Sequence, residues 1–429
     1  MRLTLGIGRT RLSRLKALLG ADGRFQDAEI LCIATHSEEV ESGDLFCVLN
    51  GKRDAYPYIE KAIARGAAAV LTDQLPKDDI PYLLVEDTLA ALERWATLSL
   101  EGHPCRRIAI TGSVGKTGTK NAVRYVLSSL FRVHASEKSY NNLLGVPFTV
   151  LTMPRNTEIL ITELGSNHPG EIGRLARIVR PTDAVITSIG HAHIGAFGSR
   201  EAIAREKLSL LENIRGEGKY LFPANEPLLR VVHSSLSSIP VQPIKELESD
   251  PAAAYALAFA EEIGKAFGKR DALTLEERET CIRLSTRRQE KTASGIRLID
   301  DAYNASPESV LSALKYLEGT AKARRVLVLS DMRELGEQSV RLHKEIGEAC
   351  AHTVDLFMPY GENAVYYTAG ADNANAGCTV TPLHKKEPSA IAGEILPHLK
   401  HEDTVLFKGS RFTRADEVAN ALFKLLNDQ

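Results

Sequence analysis

Short apolar runs, separated by stretches with helical spacing, recur along most of the chain. Between residues 29 and 100 the runs DLFCVL (44–49), AAVLT (68–72) and PYLLVED (81–87) alternate with IEKAIARGA (59–67) and TLAALERWATLSL (88–100), whose apolar positions follow a helical period. That alternation predicts a small α/β domain. Glu101, Gly102, His103 and Pro104 then break the pattern before a new β run, RRIAITG (106–112). The apolar runs ILITELG (159–165) and DAVITSIG (183–190) continue as strands of a parallel sheet with helices on its faces.

A helix is predicted from Pro251, with Asp250 as its N-cap, and a polar, arginine-rich stretch, CIRLSTRRQEKTASG (281–295), follows it. Beyond that stretch IRLIDDAYN, a helix from Pro307, RRVLVLSDM, a helix from about Ser339, DLFMPYG and TVLFKGS predict a separate open α/β sheet. A chain of 429 residues is too long for one hydrophobic core, and these breaks divide it into 1–103, 104–283 and 284–429. The expected fold class is α/β in three domains.

Charge narrows the partners. Lys plus Arg total 53 against 55 Asp plus Glu, so no basic field exists to hold a nucleic acid or an acidic membrane, and small-molecule substrates are expected. The six cysteines are scattered without CxxC spacing, which reads as reduced structural thiols. The first twenty residues lack the apolar stretch and cleavage site of a signal peptide, and no apolar run reaches membrane-spanning length. A cytoplasmic protein, not inserted in a membrane, is expected.

The segment IAITGSVGKTGTK (108–120) carries the clearest chemistry. A β run leads directly into Gly112, Ser113, Val114, Gly115, Lys116, Thr117 and Gly118, and the helical pattern NAVRYVLSSLF comes directly after. Glycines let backbone N–H groups curl around phosphate oxygens, the helix N-terminus adds partial positive charge, Lys116 adds a full one, and the Thr117 hydroxyl suits Mg2+. The spacing is a shortened TGxxGKT form, with Ile110 where the longer motif has glycine. Glu163 stands at the end of the strand ILIT, where a metal-binding acid meets phosphates at the carboxyl edge of a parallel sheet.

With SYNNLLGVPFTVL (139–151), ELGSNHPGEIG (163–173), HAHIGAFGSREAIAREKLSLLENI (191–214), DDAYNASPESV (300–310), SDMRELGEQSVRLHKEIG (330–347) and FKGSR (407–411), the chain resembles the Mur ligases of bacterial cell-wall synthesis, specifically the D-alanyl-D-alanine-adding branch. The resemblance covers nearly the whole chain from about residue 29. It implies an N-terminal UDP-sugar-binding domain, a central ATPase domain and a C-terminal Rossmann-like domain that closes over the site. The implied reaction joins D-Ala-D-Ala to UDP-MurNAc-tripeptide with ATP and Mg2+, through an acyl phosphate, in a monomer.

By the same resemblance Thr117, Glu163 and His193 ligate metal, Lys207 is carbamylated, and Arg288, Asp301 and Asn304 approach the nucleotide, with Tyr303 in the same loop. His191 is an alternative ligand to His193 or a solvated loop residue. Asn141 and Asn142 are peptide contacts or satisfied turn residues, and Lys408, Ser410 and Arg411 suit the carboxylate of an incoming dipeptide. Two segments depart from the family. Ser37 survives from the usual Asp-Ser-Arg, but Glu38 replaces the arginine, and Asp54-Ala55-Tyr56-Pro57-Tyr58 replaces a DGHxF-type element. Little room is expected for strands between YLFPANEP (220–227) and the helix after Asp250, where Ser249 and Asp250 replace an adenine-contacting His-Asn pair. A Mur-like ligase for another acid, and a nucleotide-binding protein without turnover, remain the alternatives.

Overall fold

A computed structural model describes residues 1–49, 56–137, 139–216, 218, 220–223, 226–229, 241–244, 251–269, 271–374 and 376–428, with backbone alone at 241–244 and 251–255. The expected N-cap Asp250, the neighbouring Ser249, and Asp54 and Ala55 lie outside the described residues.

Three six-stranded sheets follow one another along the chain. In the first, Cys32–Ala34, Leu45–Cys47, Ala69–Thr72 and Tyr82–Leu84 run parallel, flanked by the antiparallel edges Arg2–Thr4 and Asp22–Arg24. Both edges, and the helix Leu12–Leu19, precede the region whose pattern predicted this domain. Strands of three residues with exposed polar positions carry too little period to be read.

The second sheet is parallel throughout, in the order Val133–Ala135, Ile159–Glu163, Arg106–Thr111, Asp183–Ile186, Tyr220–Pro223, Val241–Ile244. Its strands alternate sides because both faces are covered. Ile108 and Ile110 pack with Val123 and Val126 of the helix Lys116–Ser128, whereas Ala109 and Leu160 join a core containing Leu175 and Phe148. Strand Val241–Ile244 corrects the expectation of little room there: a short crossover still admits one edge strand. Because Arg106–Thr111 lies between Ile159–Glu163 and Asp183–Ile186, the phosphate loop, Glu163 and the segment after Ile186 all emerge at one carboxyl edge.

In the third sheet, Gln289–Ala293 forms an antiparallel edge on Ile296–Asp300, followed by Thr404–Lys408, Arg325–Leu329, Leu356–Pro359 and Thr379–Val380 in parallel. The supposed polar stretch 281–295 is therefore the end of helix Leu275–Ser285 and an edge strand, and the boundary expected at about 283 falls inside that helix. The turn between the two strands has Ser294 and Gly295 both at positive φ (48° and 75°), as a tight hairpin requires.

The seams between domains differ in chemistry. The last N-terminal helix, Thr88–Leu100, buries Leu92, Trp95 and Ala96 in one core with Phe148, Leu151 and Leu175 of the central domain. Arg107, itself buried, donates from Nη2 to Leu100 O (2.6 Å) and His103 O (3.3 Å), and from Nη1 to Val179 O (3.2 Å), so one cation meets the carboxyl ends of two helices. Contacts from the C-terminal domain to the central loops add polar pairs, His191 with Glu308, His193 with Glu334, and Ser139 with Tyr303, to an apolar cluster that holds Ile194 with Met332 and Leu335.

Candidate functional site

The phosphate loop is fixed from beneath by the end of strand Asp183–Ile186. Ser113 N donates to Ser188 O (3.0 Å), Val114 N to Ser188 Oγ (2.9 Å), and Thr187 Oγ1 to Val114 O (2.5 Å). Gly112 adopts φ +142°, and a Cβ there would lie 2.1 Å from Thr187 Oγ1, so only glycine fits. Lys116 Nζ folds back to Gly112 O (2.6 Å) and Ser113 O (3.2 Å). Burial lowers its pKa, and the neighbouring Glu163 opposes that shift.

Glu163, only 1% exposed, accepts from Thr117 Oγ1 (2.8 Å) and from Asn141 Nδ2 (2.8 Å). Lys120 Nζ lies 3.9 Å away, a buried cation that sequence reasoning passed over although it follows the motif by three residues. Among the described residues no three His, Cys, Asp or Glu side chains converge as a metal cluster. Thr117 and Glu163 instead present two hard oxygen donors facing the phosphate loop. That set fits Mg2+, which takes few protein ligands and completes its shell with water and phosphate.

The C-terminal domain supplies the opposite wall. Lys408, 3% exposed, contacts Asp301 Oδ2 (3.0 Å) and donates to Asn304 O (3.1 Å), fixing the loop after Ile296–Asp300. Of the tandem arginines, Arg287 reaches the phosphate loop: its Nη2 donates to Thr117 Oγ1 (2.7 Å) and Ser139 Oγ (2.7 Å), and its guanidinium lies 3.5 Å over the Tyr303 ring. Arg288, the residue singled out from the sequence, stacks 3.7 Å over Tyr316 at the edge of the same cavity. Adjacent arginines in a strand-entry segment point to opposite sides, and sequence alone did not show which side faced the loop.

These groups line a cavity of about 460 Å3 between the domains, within the range that takes a nucleotide. Ser113 to Gly118, Asn141, Glu163, His193, Arg288, Asp301, Asn304, Lys408 and Arg411 all face it. A second cavity, of about 770 Å3, shares Asn167, His193, Tyr303, Asn304 and Arg411 with the first and adds Ser410. The Ser410 hydroxyl is committed to the Asp331 carbonyl.

Besides Gly112, three expected residues do not line either cavity. Asn142 accepts from Leu144 N (3.2 Å) and Gly145 N (2.8 Å), which satisfies the start of helix Gly145–Leu151 and corresponds to the turn role among its two readings. Ser37 is buried in the turn Ser37–Glu39 of the N-terminal domain, where the neighbouring Glu38 is paired with Lys61. Lys207 is 3% exposed and donates to Ser166 Oγ (2.7 Å). Burial, reinforced by Lys116, lowers its pKa to about 7. The alternative ligand His191 does not line either cavity, and Glu308 holds it there: Oε1 contacts both its Nδ1 and its backbone N, at 2.5 and 2.9 Å.

With this geometry in view, residues 110–271 match the Mur ligase middle domain and residues 282–411 the Mur ligase glutamate ligase domain. The UDP-N-acetylmuramoyl-tripeptide–D-alanyl-D-alanine ligase of Bacillus subtilis (strain 168) is 32% identical, over 94% of this chain and 95% of that protein. Among solved structures, MurF from Acinetobacter baumannii superposes with a TM-score of 0.86 at 25% identity, covering 98% and 100% of the two chains. MurF ligase from Thermotoga maritima, in complex with ADP, gives 0.78 at 23% identity, covering 92% and 98%.

Proposed function

The chain belongs to the Mur ligase family, and from that premise we propose that its interdomain site adds D-alanyl-D-alanine to UDP-MurNAc-tripeptide with cleavage of ATP to ADP and phosphate, in peptidoglycan precursor synthesis. The observation that carries the reading is the continuity of the phosphate-loop cavity with the second cavity through Asn167, His193, Tyr303, Asn304 and Arg411. One space suits the nucleotide and the other an acid and an amine.

A carboxylate does not acylate an amine at neutral pH, because its leaving group is too basic. A substrate carboxylate oxygen therefore attacks the γ-phosphorus, the bond to the β,γ-bridging oxygen breaks, and ADP departs. Lys116, the loop N–H groups and Arg287 offset the charge on the transferring group. Mg2+ held at Thr117 and Glu163, with His193 as ligand to a second ion, would supply further neutralisation. The dipeptide amine then attacks the acyl carbon, phosphate leaves, and the nitrogen loses its proton. Arg411, at the junction of the cavities, suits the dipeptide carboxylate, with Lys408 and Ser410 shaping its loop; Asp301, Asn304 and Arg288 border the nucleotide. Asn141 orients Glu163.

Lys207 is assigned as a carbamate, since a lysine with pKa about 7 presents a neutral amine to CO2. We assign residues 1–103, with Ser37, to UDP-sugar binding, 104–283 to ATP and 284–429 to the acceptor. Action as a monomer in the cytoplasm, where ATP is supplied, completes this reading. No helix among the described residues is long and apolar enough to cross a membrane.

Purified protein with Mg-ATP, UDP-MurNAc-tripeptide and D-Ala-D-Ala should release phosphate and yield the pentapeptide mass. Absence of dipeptide-dependent release sinks this reading; release with another acid alone would point to a Mur-like ligase of different substrate. Lys116→Ala should lower turnover by on the order of 10³-fold, having lost the cation at the transferring phosphoryl group.

A further inference from the structure

His193 and Glu334 belong to different domains, and both line the second cavity. His193 Nδ1 is buried and lies 2.5 Å from Glu334 Oε2, at angles outside those of a hydrogen bond, so the two groups are in contact without an aligned bond. Both residues hold left-handed backbone, at φ +63° and +65°, a conformation that is sterically costly for side chains of this size. The backbone around them interlocks. Gly195 N donates to Glu334 O (2.9 Å), and a Cβ on Gly195 would lie 2.7 Å from Gly336 N, while one on Gly336 would lie 2.7 Å from Gly195 Cα. Two glycines thus permit a main-chain approach that delivers one carboxylate to one imidazole.

A metal-ligating histidine ordinarily gives its other ring nitrogen to a carboxylate or carbonyl, which fixes the tautomer and ring orientation. We propose that Glu334 is a positioning residue: docking of the C-terminal domain places its carboxylate on His193 Nδ1 and commits Nε2 to a divalent cation, so that the acceptor cavity and the metal site assemble in one event. His191 has a different task, since Glu308 takes both its ring and its backbone N–H and anchors the helix Pro307–Thr320 to the same loop. The inference rests on the ligase reading for His193 as a metal ligand and for its kinetic arm.

The experiment measures Mn2+ binding to the full chain with ADP by electron paramagnetic resonance, beside steady-state kinetics. Glu334→Gln should weaken Mn2+ by about 10-fold or more and lower kcat by about 10- to 100-fold, with KM for ATP within about twofold. Glu334→Asp should recover part of both. Glu334→Asn, suited to the left-handed backbone, should repeat the loss if the Gln variant fails to fold. In a His193→Ala background, Glu334→Gln should add nothing further. Unchanged Mn2+ affinity in the Gln or Asn variant, or a full additional loss in the His193→Ala background, overturns the proposal. Wild-type protein that binds Mn2+ in this Glu334-dependent way but forms no product would overturn the substrate assignment instead.

Discussion

Lys207 shows how a single buried group ties stability to chemistry. Its pKa of about 7 lies well below that of a solvated lysine, so the folded chain binds fewer protons than the unfolded chain between about pH 7 and 10.5. Stability from this group therefore rises with pH across that window, by at most about 1.4 kcal/mol per unit, and the cost is fully present below pH 7. In CO2-free buffer, Lys207→Met should flatten the rise in melting temperature between pH 7 and 10. With 13C-labelled bicarbonate, the wild-type chain should show a carbamate carbon that the Met variant lacks. Arg287 makes a second residue-scale case. Because its guanidinium donates to Thr117 Oγ1, Arg287→Ala should lower kcat on the order of 10²-fold, whereas Arg288→Ala, removing a side chain stacked on Tyr316, should cost less. Parallel kinetics of the two variants decide which arginine serves the phosphates.

The helix Lys116–Ser128 depends on a neighbour that was not visible as an element in the sequence. A Cβ on Gly118 would lie 2.1 Å from Ser285 O, at the end of helix Leu275–Ser285. Helix propensity alone favours alanine there by about 1 kcal/mol. Packing should reverse that sign, and Gly118→Ala is expected to destabilise by about 1–3 kcal/mol, seen as a lower denaturation midpoint. Strands buried on both faces, such as Arg106–Thr111 and Ile159–Glu163, were legible because each holds an unbroken apolar run, Ile108 to Ile110 and Ile159 to Ile161. Gln289–Ala293 was not, since an edge strand with four of five residues exposed reads as loop. Phosphate-loop residues were legible because their chemistry is local. Glu308 and Glu334 were not: Glu308 lies 117 residues from its histidine, and only the docking of two sheets brings either pair together. The Asn142 side chain, too, declares its role only when the start of helix Gly145–Leu151 is seen to need it.

Across the whole molecule the two seams set what can move. The C-terminal domain meets the central loops through the pairs His191–Glu308, His193–Glu334 and Ser139–Tyr303, which can exchange for water, although its Ile299, Met332 and Leu335 belong to the same buried apolar cluster as Leu92 and Phe148. Scattering in solution should therefore report compaction when Mg-ATP analogue and acceptor dipeptide are added, with the Gly195→Val variant, whose side chain would meet Gly336, held expanded. Arg107 carries this division into the way the chain comes apart. Its three carbonyl partners span the carboxyl ends of helices Thr88–Leu100 and Glu171–Val179, so neither helix can fray without stranding a buried cation. Heat should thus melt the first two domains as a single cooperative unit and the third as another, giving two calorimetric peaks where three sheets would suggest three; Arg107→Met should split the shared peak.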